Sequence, residues 1–164
     1  MGLDMYLSAR QYINRIDFSK GNAYDDRHET VAFRTVVETV GLTRLLEPEG
    51  HSGVYVEIPV MYWRKANAVH NWFIKELADG VDDCRPLELT VERLRDLVGL
   101  CDQVTADHSK AEELLPTGSG FFFGGTGYDE YYYANIAHTG DRLRYIVAEA
   151  EAKKIDWLVY QASW

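Results

Sequence analysis

Cysteine is scarce in this chain, which has only Cys84 and Cys101 among its 164 residues. Two thiols are too few for the disulfide framework of a small secreted domain, and they lack the C-x-x-C spacing of a zinc or redox motif. Cys84 also follows two aspartates, and neighbouring carboxylates disfavour the thiolate that a catalytic cysteine needs. The cysteine content therefore predicts reduced, non-catalytic thiols and a cytoplasmic protein.

Long apolar runs are missing as well, since none approaches the ~18 residues that a membrane span requires. The opening stretch, MGLDMYLSAR, lacks the basic region followed by an apolar region that marks a secretory signal. Tyr6 occupies the position where a myristoylation pattern has serine or threonine. We therefore expect no association with a membrane.

Basic residues are outnumbered, with 17 lysines and arginines against 26 aspartates and glutamates and a formal net charge of −9. The largest basic clusters are two pairs, Arg64–Lys65 and Lys153–Lys154. Attraction to nucleic-acid phosphates is thereby disfavoured, and we expect no duplex nucleic acid as a partner. A decoy that imitates DNA is disfavoured too, because the acidic residues are mixed with basic residues and apolar stripes.

Recognisable catalytic and metal-binding motifs are absent from the sequence: H-E-x-x-H, G-x-S-x-G, and H-x-E with P-C-x-x-C. No histidine has another histidine three or four residues away, which disfavours a zinc site. The histidines are His28, His51, His70, His108 and His138. The acidic pairs Asp82–Asp83 and Asp129–Glu130 are more typical of partners for a helix dipole than of metal ligands. We expect no metal and no cofactor.

Hydrophobic periodicity predicts a single α+β domain over residues 1–164. Alternating or continuous apolar residues predict strands over residues 2–13, 54–63 and 155–164. Helical spacing predicts helices over about residues 29–41, 64–77, 90–104 and 129–154. We expect a small, mostly antiparallel sheet that pairs the N- and C-terminal strands and is packed by three to four helices.

Two strands carry signals about their place in that sheet. Pro59 cannot donate a ladder hydrogen bond, so it limits the second strand to an edge or breaks it near its end. The last strand, IDWLVYQASW, is apolar on both faces and should be central or well covered.

The stretch VMYWRKANAVHNWF, residues 60–73, combines aromatic, amide, imidazole and cationic side chains. On a helix, Ala66, Val69 and Phe73 fall on one face and should pack on the sheet. The polar residues line one border of that apolar stripe, where side chains would be half covered and could point into a crevice. This border comprises Trp63, Arg64, Asn67, His70 and Asn71, and Lys65 falls on the other side of the stripe. The alternative is that the amides and the imidazole bond to neighbouring backbone and that the aromatics belong to the core.

The stretch LLPTGSGFFFGGTGYDEYYY, residues 114–133, is rich in glycine and aromatic residues. Its glycines do not match a dinucleotide fingerprint, and no lysine follows them as in a P-loop. Asp129 and Glu130 at the start of the next helix would repel a phosphate there. We expect a wall on which a planar ligand could stack, with simple packing as the alternative. The candidate residues are Thr117, Ser119, Phe121, Phe123, Tyr128 and Tyr131.

Several of these motifs together resemble a family of uncharacterised small proteins from phage and bacterial genomes. The motifs are MGLDMYL, YWRKANAVHNWF followed by GVDDC, LLPTGSGFFFG with YDEYYY, and a final ASW. Residues 17–53 carry no part of the resemblance and look like a variable insert with one helix. The resemblance implies a protein that acts in the cytoplasm of an infected host cell, and it implies no particular chemistry.

These observations lead to a hypothesis of ligand binding between the helix border and the glycine-rich stretch. Trp63 and the aromatic wall would stack on a base, Arg64 and Lys65 would neutralise phosphate, and the amides and His70 would hydrogen-bond to base edges. Given the phage-like setting, the hypothesis is a sponge for a nucleotide immune signal. The alternatives are an inhibitor that blocks a host protein with exposed aromatics and a nucleotide-processing hydrolase that uses His70 as a general base. A homo-oligomer is compatible with all three.

Overall fold

The computed structural model describes residues 2–20, 29–46, 52–155 and 157–164. Within these residues the chain forms four strands and five α-helices. In chain order they are β1 (Asp4–Ile13), α1 (Val31–Thr39), β2 (Val54–Arg64), α2 (Asn67–Leu77), β3 (Leu87–Leu89), α3 (Val91–Ala106), α4 (Ala111–Leu114), α5 (Glu130–Lys153) and β4 (Trp157–Ser163). None of the described helices has the length and apolarity that a membrane crossing requires.

The strands form one antiparallel sheet in the order β2-β1-β4-β3, which confirms the predicted pairing of the N- and C-terminal strands. β4 lies inside the sheet, as its continuous apolar run predicted, and its residues Leu158, Val159 and Tyr160 are all buried. β2 lies at an edge, as Pro59 required. β3 was not predicted, because three residues are too few to show a strand period.

The helices follow the predicted pattern closely. α3 begins after Thr90, whose side chain accepts a hydrogen bond from the amide of Arg93. Its predicted apolar stripe is buried in full and consists of Leu94, Leu97, Val98, Cys101 and Val104. α5 packs against α3 closely enough that a Cβ added at Gly140 would lie 3.1 Å from the Cβ of Cys101. The four-residue α4 was not predicted, since it is a single turn without periodicity.

The boundary between β2 and α2 differs from the prediction. The helix begins at Asn67 rather than at residue 64, because β2 continues to Arg64. Lys65 stands between the two elements with a positive φ of 56°. A left-handed conformation lets the chain reverse direction within two residues, at a cost of about 1–2 kcal/mol for a side chain other than glycine.

The described residues group into two compact units. One unit holds the start of the chain up to Ala9 together with Ile58–Trp164, and the other is Arg10–Glu57. The core of the first unit is built by apolar side chains of the strands and of α2, α3 and α5.

The second unit contains α1, the helix predicted for this part of the chain. Its buried apolar residues include Ile16, Phe33 and Val37. An ion pair of 2.8 Å joins Arg15 to Glu29 beside this small core. His28 and His51 lie outside the described residues.

Candidate functional site

A cavity of about 180 Å³ opens in the first unit between the start of α2, the glycine loop (residues 117–128) and the start of α5. We call it the α2–α5 pocket. Its lining consists of Lys65, Ala66, Asn67, Ala68, Val69, Thr117, Gly124, Gly125, Gly127, Asp129, Tyr131, Tyr132, Asn135 and Ile136. The pocket therefore lies between the two sequence stretches that were singled out, and four of the predicted site residues line it.

The α2 wall follows from the tight turn at Lys65. The amide of Lys65 donates to the carbonyl of Leu3 at 2.8 Å, which fixes the turn against the start of β1. Directly after the turn, Ala66, Ala68 and Val69 form part of the pocket wall. The amides of a helix's first turn have no helical acceptor, and they carry partial positive charge. No acidic residue lies in the first turn of α2 to offset that charge.

Asn67 fastens the glycine loop to α2. Its amide nitrogen donates to the carbonyls of Phe123 at 3.1 Å and Gly125 at 2.8 Å. Its side-chain oxygen accepts from the amide of Gly118 at 3.3 Å. All three contacts lie on loop backbone, and Asn67 is buried. The residue therefore determines the shape of the pocket, which matches the alternative that the amides bond to neighbouring backbone.

The glycine loop is also held from within. The hydroxyl of Thr117 donates to the carbonyl of Thr126 at 3.0 Å, which closes the base of the loop. The amide of Thr117 donates to the hydroxyl of Tyr128 at 3.4 Å. Gly124 has a φ of 90°, and a Cβ there would meet the Cβ of Lys65 at 3.3 Å. A glycine is required at this position for both reasons.

The α5 wall presents Tyr131 as a fixed flat surface. Its hydroxyl donates to the carbonyl of Arg64 at 2.8 Å, so the side chain extends from α5 to the end of β2. The residue is still 57% exposed. Asn135, one turn further along α5, donates to the carbonyl of Tyr131 at 2.8 Å. A ring that is tethered and yet accessible is suited to stacking on a planar ligand.

The remaining side chains of the α5 wall are Asp129 and Tyr132. One carboxylate oxygen of Asp129 accepts from the amide of Tyr132 at 3.0 Å and so caps the helix. The hydroxyl of Tyr132 donates to the carbonyl of Leu115 at 2.8 Å. Burial raises the pKa of Tyr132 well above its ordinary value, so its ring stays a neutral phenol. The pocket thus has a cationic side chain on one wall and a carboxylate on the other.

The prediction of a half-covered polar border on α2 is wrong for three of its residues, because they are buried. The ring of Trp63 is only 2% exposed, and its indole nitrogen donates to the hydroxyl of Thr139 at 2.9 Å. The surface of Trp63 therefore faces the core, where the ring packs edge-on against Phe73 and cannot stack on a ligand. Asn67 is buried under the glycine loop, and His70 is buried more deeply still.

His70 belongs to a hydrogen-bonded network inside the first unit. Its Nδ1 lies 2.7 Å from the hydroxyl of Tyr160, and its Nε2 lies 2.9 Å from a carboxylate oxygen of Asp82. The other carboxylate oxygen of Asp82 accepts from the indole of Trp164 at 3.3 Å. With 1% exposure and both nitrogens engaged, His70 is placed to support the fold and does not line the pocket.

The other predicted residues lie around the pocket without lining it. Asn71 donates to the carbonyl of Pro116 at 3.3 Å and borders a separate, smaller cavity. The ring of Phe123 packs edge-on against His70 and Trp164, so it anchors the loop from below. Arg64 and Ser119 are exposed outside the lining.

Two residues of the predicted aromatic wall, Phe121 and Tyr128, lie in different environments. Phe121 is 95% exposed and does not line the pocket. Tyr128 packs against the core and meets the ring of Tyr132 edge-on at 4.9 Å. Among the predicted stacking residues, only Tyr131 therefore offers its ring to the pocket.

The sequence did not single out Asn135 as a pocket residue, and it indicated Asp129 as a partner for the helix dipole rather than as a metal ligand. Asn135 lies one helical turn beyond Tyr131, so the i, i+4 relationship on α5 was a signal that could have identified it. The backbone of Gly124, Gly125 and Gly127 lines the pocket because Asn67 hydrogen-bonds to the loop. The periodicity of the sequence could not predict these hydrogen bonds.

No group of three or more histidine, cysteine, aspartate or glutamate side chains is arranged to hold a metal ion in the part of the chain that the structure describes. A scan against protein-family models, a search of curated proteins and a search of solved structures found no match for this chain.

Proposed function

We propose that this chain binds a small nucleotide-like ligand in the α2–α5 pocket and holds it without chemical change. In the phage-like setting that the family resemblance implies, this is a counter-defence sponge for a nucleotide immune signal. The observation that supports the proposal most is that the tethered and exposed ring of Tyr131 lines the same pocket as Lys65. A flat aromatic surface and a cation in one pocket match a ligand with a base at one end and a phosphate at the other.

The size of the pocket suits the base of such a ligand. Its volume is about 180 Å³, and an apolar cavity of about 150 Å³ is known to hold a benzene ring. A ring system therefore fits this space.

Two neighbouring cations, Lys65 of the lining and Arg64 beside it, lie at one side of the pocket, which we call its mouth. A Cβ added at Gly2 would lie 3.3 Å from the Cε of Lys65 and 3.8 Å from an Nη of Arg64, so both side chains pass the same glycine. Within the described residues, neither Arg64 nor Lys65 forms an ion pair with a carboxylate. Two exposed and unpaired cations beside a stacking surface are suited to phosphate. This arrangement is local, so it agrees with the net charge of −9.

The position of His70 favours binding of the ligand without hydrolysis. A general base must reach the proton that it abstracts. The imidazole of His70 is buried and bonded at both nitrogens to Tyr160 and Asp82, outside the pocket lining. We therefore do not extend the proposal to hydrolysis by His70.

Recovery of the ligand tests the proposal. The purified chain is incubated with a panel of mononucleotides, dinucleotides and cyclic nucleotides, separated from free ligand by gel filtration, and then denatured. We expect one nucleotide class to be retained and released unchanged. Release of an altered nucleotide would support an enzyme, and retention of none would contradict the proposal.

Arg64→Ala provides the matched variant for that experiment. The side chain is exposed, so its loss should leave the melting temperature within about 2 °C, since surface substitutions usually change stability by less than ~0.5 kcal/mol. Retention of phosphorylated ligand should fall, while a free nucleoside should bind equally to both proteins. If Arg64→Ala instead unfolds the chain, Arg64 has a structural role and the assignment of the mouth is wrong.

A second candidate function is inhibition of a host protein, and the exposure of Phe121 favours it. Phe121 is 95% exposed and meets Phe122 edge-on at 4.9 Å, so it projects from the glycine loop. Exposed aromatic residues often provide most of the binding energy at interfaces. A defined partner that is captured from host lysate by the wild-type chain and lost with Phe121→Ser would support this candidate.

A further inference from the structure

Most of the side-chain donors in the α2–α5 pocket are used within the protein. Both amide protons of Asn67 go to loop carbonyls, at Phe123 and Gly125. The hydroxyl proton of Tyr131 goes to the carbonyl of Arg64. Since these side chains have no further proton to offer, they cannot donate to a ligand.

The hydroxyl of Thr117 follows the same pattern, because its proton goes to the carbonyl of Thr126. Of the polar side chains in the lining, Lys65 therefore keeps the strongest donor, and it lies at the mouth. The side chains of the pocket therefore have little capacity left to bind the acceptor atoms of a ligand, and that capacity belongs to the first-turn amides of α2.

Acceptors, in contrast, remain free. One carboxylate oxygen of Asp129 receives the amide of Tyr132, and no donor among the described residues meets the other oxygen. The amide nitrogen of Asn135 donates to the carbonyl of Tyr131, and in the described part of the chain its carbonyl oxygen has no donor. The α5 wall thus presents two acceptors to a ligand.

We infer that the pocket selects a base whose edge carries two adjacent N–H donors, which among the common bases is guanine. This inference rests on the proposed function, since it takes the ligand to be a nucleotide. The N1–H and the exocyclic amino group of guanine would donate to Asp129 and Asn135. Adenine and cytosine place one donor beside an acceptor, and uracil has a single donor between two acceptors. Each of them would form fewer hydrogen bonds to the α5 wall than guanine would.

The orientation of the base determines where the sugar and the phosphate of the ligand lie. With its edge toward Asp129 and Asn135, the ring lies against Tyr131, and the sugar and phosphate point to the mouth. Arg64 and Lys65 are there to receive the phosphate. A cationic amine would also satisfy two acceptors, but Lys65 lines the same pocket and would repel it. The charges at both ends of the pocket therefore favour a guanine nucleotide.

Titration with three purine nucleotides tests this inference. Guanosine monophosphate presents both donors, and inosine monophosphate lacks the exocyclic amine at C2. Adenosine monophosphate lacks both that amine and the N1–H, and its own amine is at C6. We expect affinity to fall in that order, by about tenfold or more from guanosine to adenosine monophosphate, because each lost bond to a charged or buried acceptor is worth about one order of magnitude.

Asp129→Asn is the informative variant, because asparagine caps a helix about as well as aspartate. It replaces one carboxylate oxygen by an amide that donates, and it should lower the guanosine monophosphate affinity at least about tenfold with little change in melting temperature. Glu130→Gln is the matched control. It removes the adjacent, exposed carboxylate that does not line the pocket, and its affinities should equal those of the wild type.

The outcomes separate this inference from the proposed function. Binding of all three nucleotides with equal affinity, or a preference for adenosine that Asp129→Asn does not change, would overturn the guanine assignment and leave nucleotide binding in place. A panel in which no nucleotide binds would overturn both. A graded preference that Asp129→Asn removes and Glu130→Gln keeps would support the inference.

Discussion

The imidazole Nδ1 of His70 lies 2.7 Å from the hydroxyl oxygen of Tyr160, a residue 90 positions further along the chain. This bond joins α2 to the inner strand β4. The other ring nitrogen binds Asp82, and Asp82 in turn binds the indole of Trp164. Because Phe123 packs against both His70 and Trp164, the same network supports the glycine loop that lines the pocket.

Replacement of His70 should therefore affect stability. His70→Ala leaves the buried hydroxyl of Tyr160 and a carboxylate oxygen of Asp82 without partners and creates a cavity. We expect a loss of about 2–4 kcal/mol in the free energy of unfolding, measured by urea denaturation. His138→Ala is the control, since His138 is exposed and its loss should change stability by less than about 0.5 kcal/mol. Equal stability of the two variants would contradict a structural role for His70.

Asn67 should be the most important residue for the shape of the glycine loop. Asn67→Ala removes three bonds to the backbone of Gly118, Phe123 and Gly125. We expect a loss of about 2–3 kcal/mol and weaker nucleotide binding, because the loop loses its attachment to α2. Asn71→Ala removes one bond at a partly exposed site, and it should cost less than about 1 kcal/mol. A loop that stays ordered in Asn67→Ala, seen as unchanged amide exchange at Gly124, would contradict this role.

The fold could be predicted where a local pattern was sufficient. The stripe of α3 repeats over about three turns, Pro59 limits its strand to an edge or breaks it near its end, and the last strand is apolar on both faces. Each signal is contained in a few consecutive residues, and each agrees with the observed element. β3 was not predicted, because its three residues form a strand by pairing with β4 and show no strand pattern of their own.

The site could be predicted only in part. Periodicity predicts on which face of a helix a side chain lies, but it does not predict how deeply that side chain is buried. His70 lies beside the apolar stripe of α2, as its spacing indicated. Its burial depends on Tyr160, which is 90 residues away. The burial of Trp63 likewise depends on Thr139, 76 residues away. Partners at such separations leave no trace in the local sequence, so buried and half-buried polar residues look alike.

The two cysteines should differ in reactivity. Burial raises the pKa of the Cys101 thiol to about 12, and the residue is fully buried, whereas Cys84 is half-buried. At about pH 8, where an ordinary thiol begins to ionise, a thiol reagent should label Cys84 in the native protein and Cys101 only after denaturation. Mass spectrometry of labelled peptides distinguishes the sites. Rapid labelling of Cys101 in the native protein would contradict the packing of α3 against α5.

The same pKa shift has a consequence for stability at high pH. The folded protein holds the Cys101 proton up to about pH 12, while an unfolded thiol releases it near its ordinary value of 9.0. The folded state therefore binds more protons in this interval, and its stability should fall as the pH rises from about 9 toward 12. In Cys101→Ala this fall should be less steep, as measured by denaturation at several pH values. An unchanged slope would contradict the assignment.

Tyr131 should provide the stacking energy of the pocket. Tyr131→Ala should weaken nucleotide binding by about 10- to 100-fold, because stacking of a base on an aromatic ring is worth about 1–3 kcal/mol. Tyr131→Phe keeps the ring and loses only the bond to the Arg64 carbonyl, so the loss should stay below about tenfold. Phe121→Ala, which removes an exposed ring outside the pocket, should bind as the wild type does. A stronger effect from Phe121 than from Tyr131 would place the ligand elsewhere.

Calorimetric titration of Lys65→Gln tests the proposed function most directly. The wild type, this variant and the control Lys75→Gln, which alters an exposed lysine in the last turn of the same helix, are titrated with guanosine, adenosine, cytidine and uridine monophosphates. We expect at least one nucleotide to bind the wild type and the control equally, and to bind Lys65→Gln about tenfold more weakly or worse. The absence of binding by any of the four, or equal binding to Lys65→Gln and the wild type, would contradict a nucleotide site in the α2–α5 pocket.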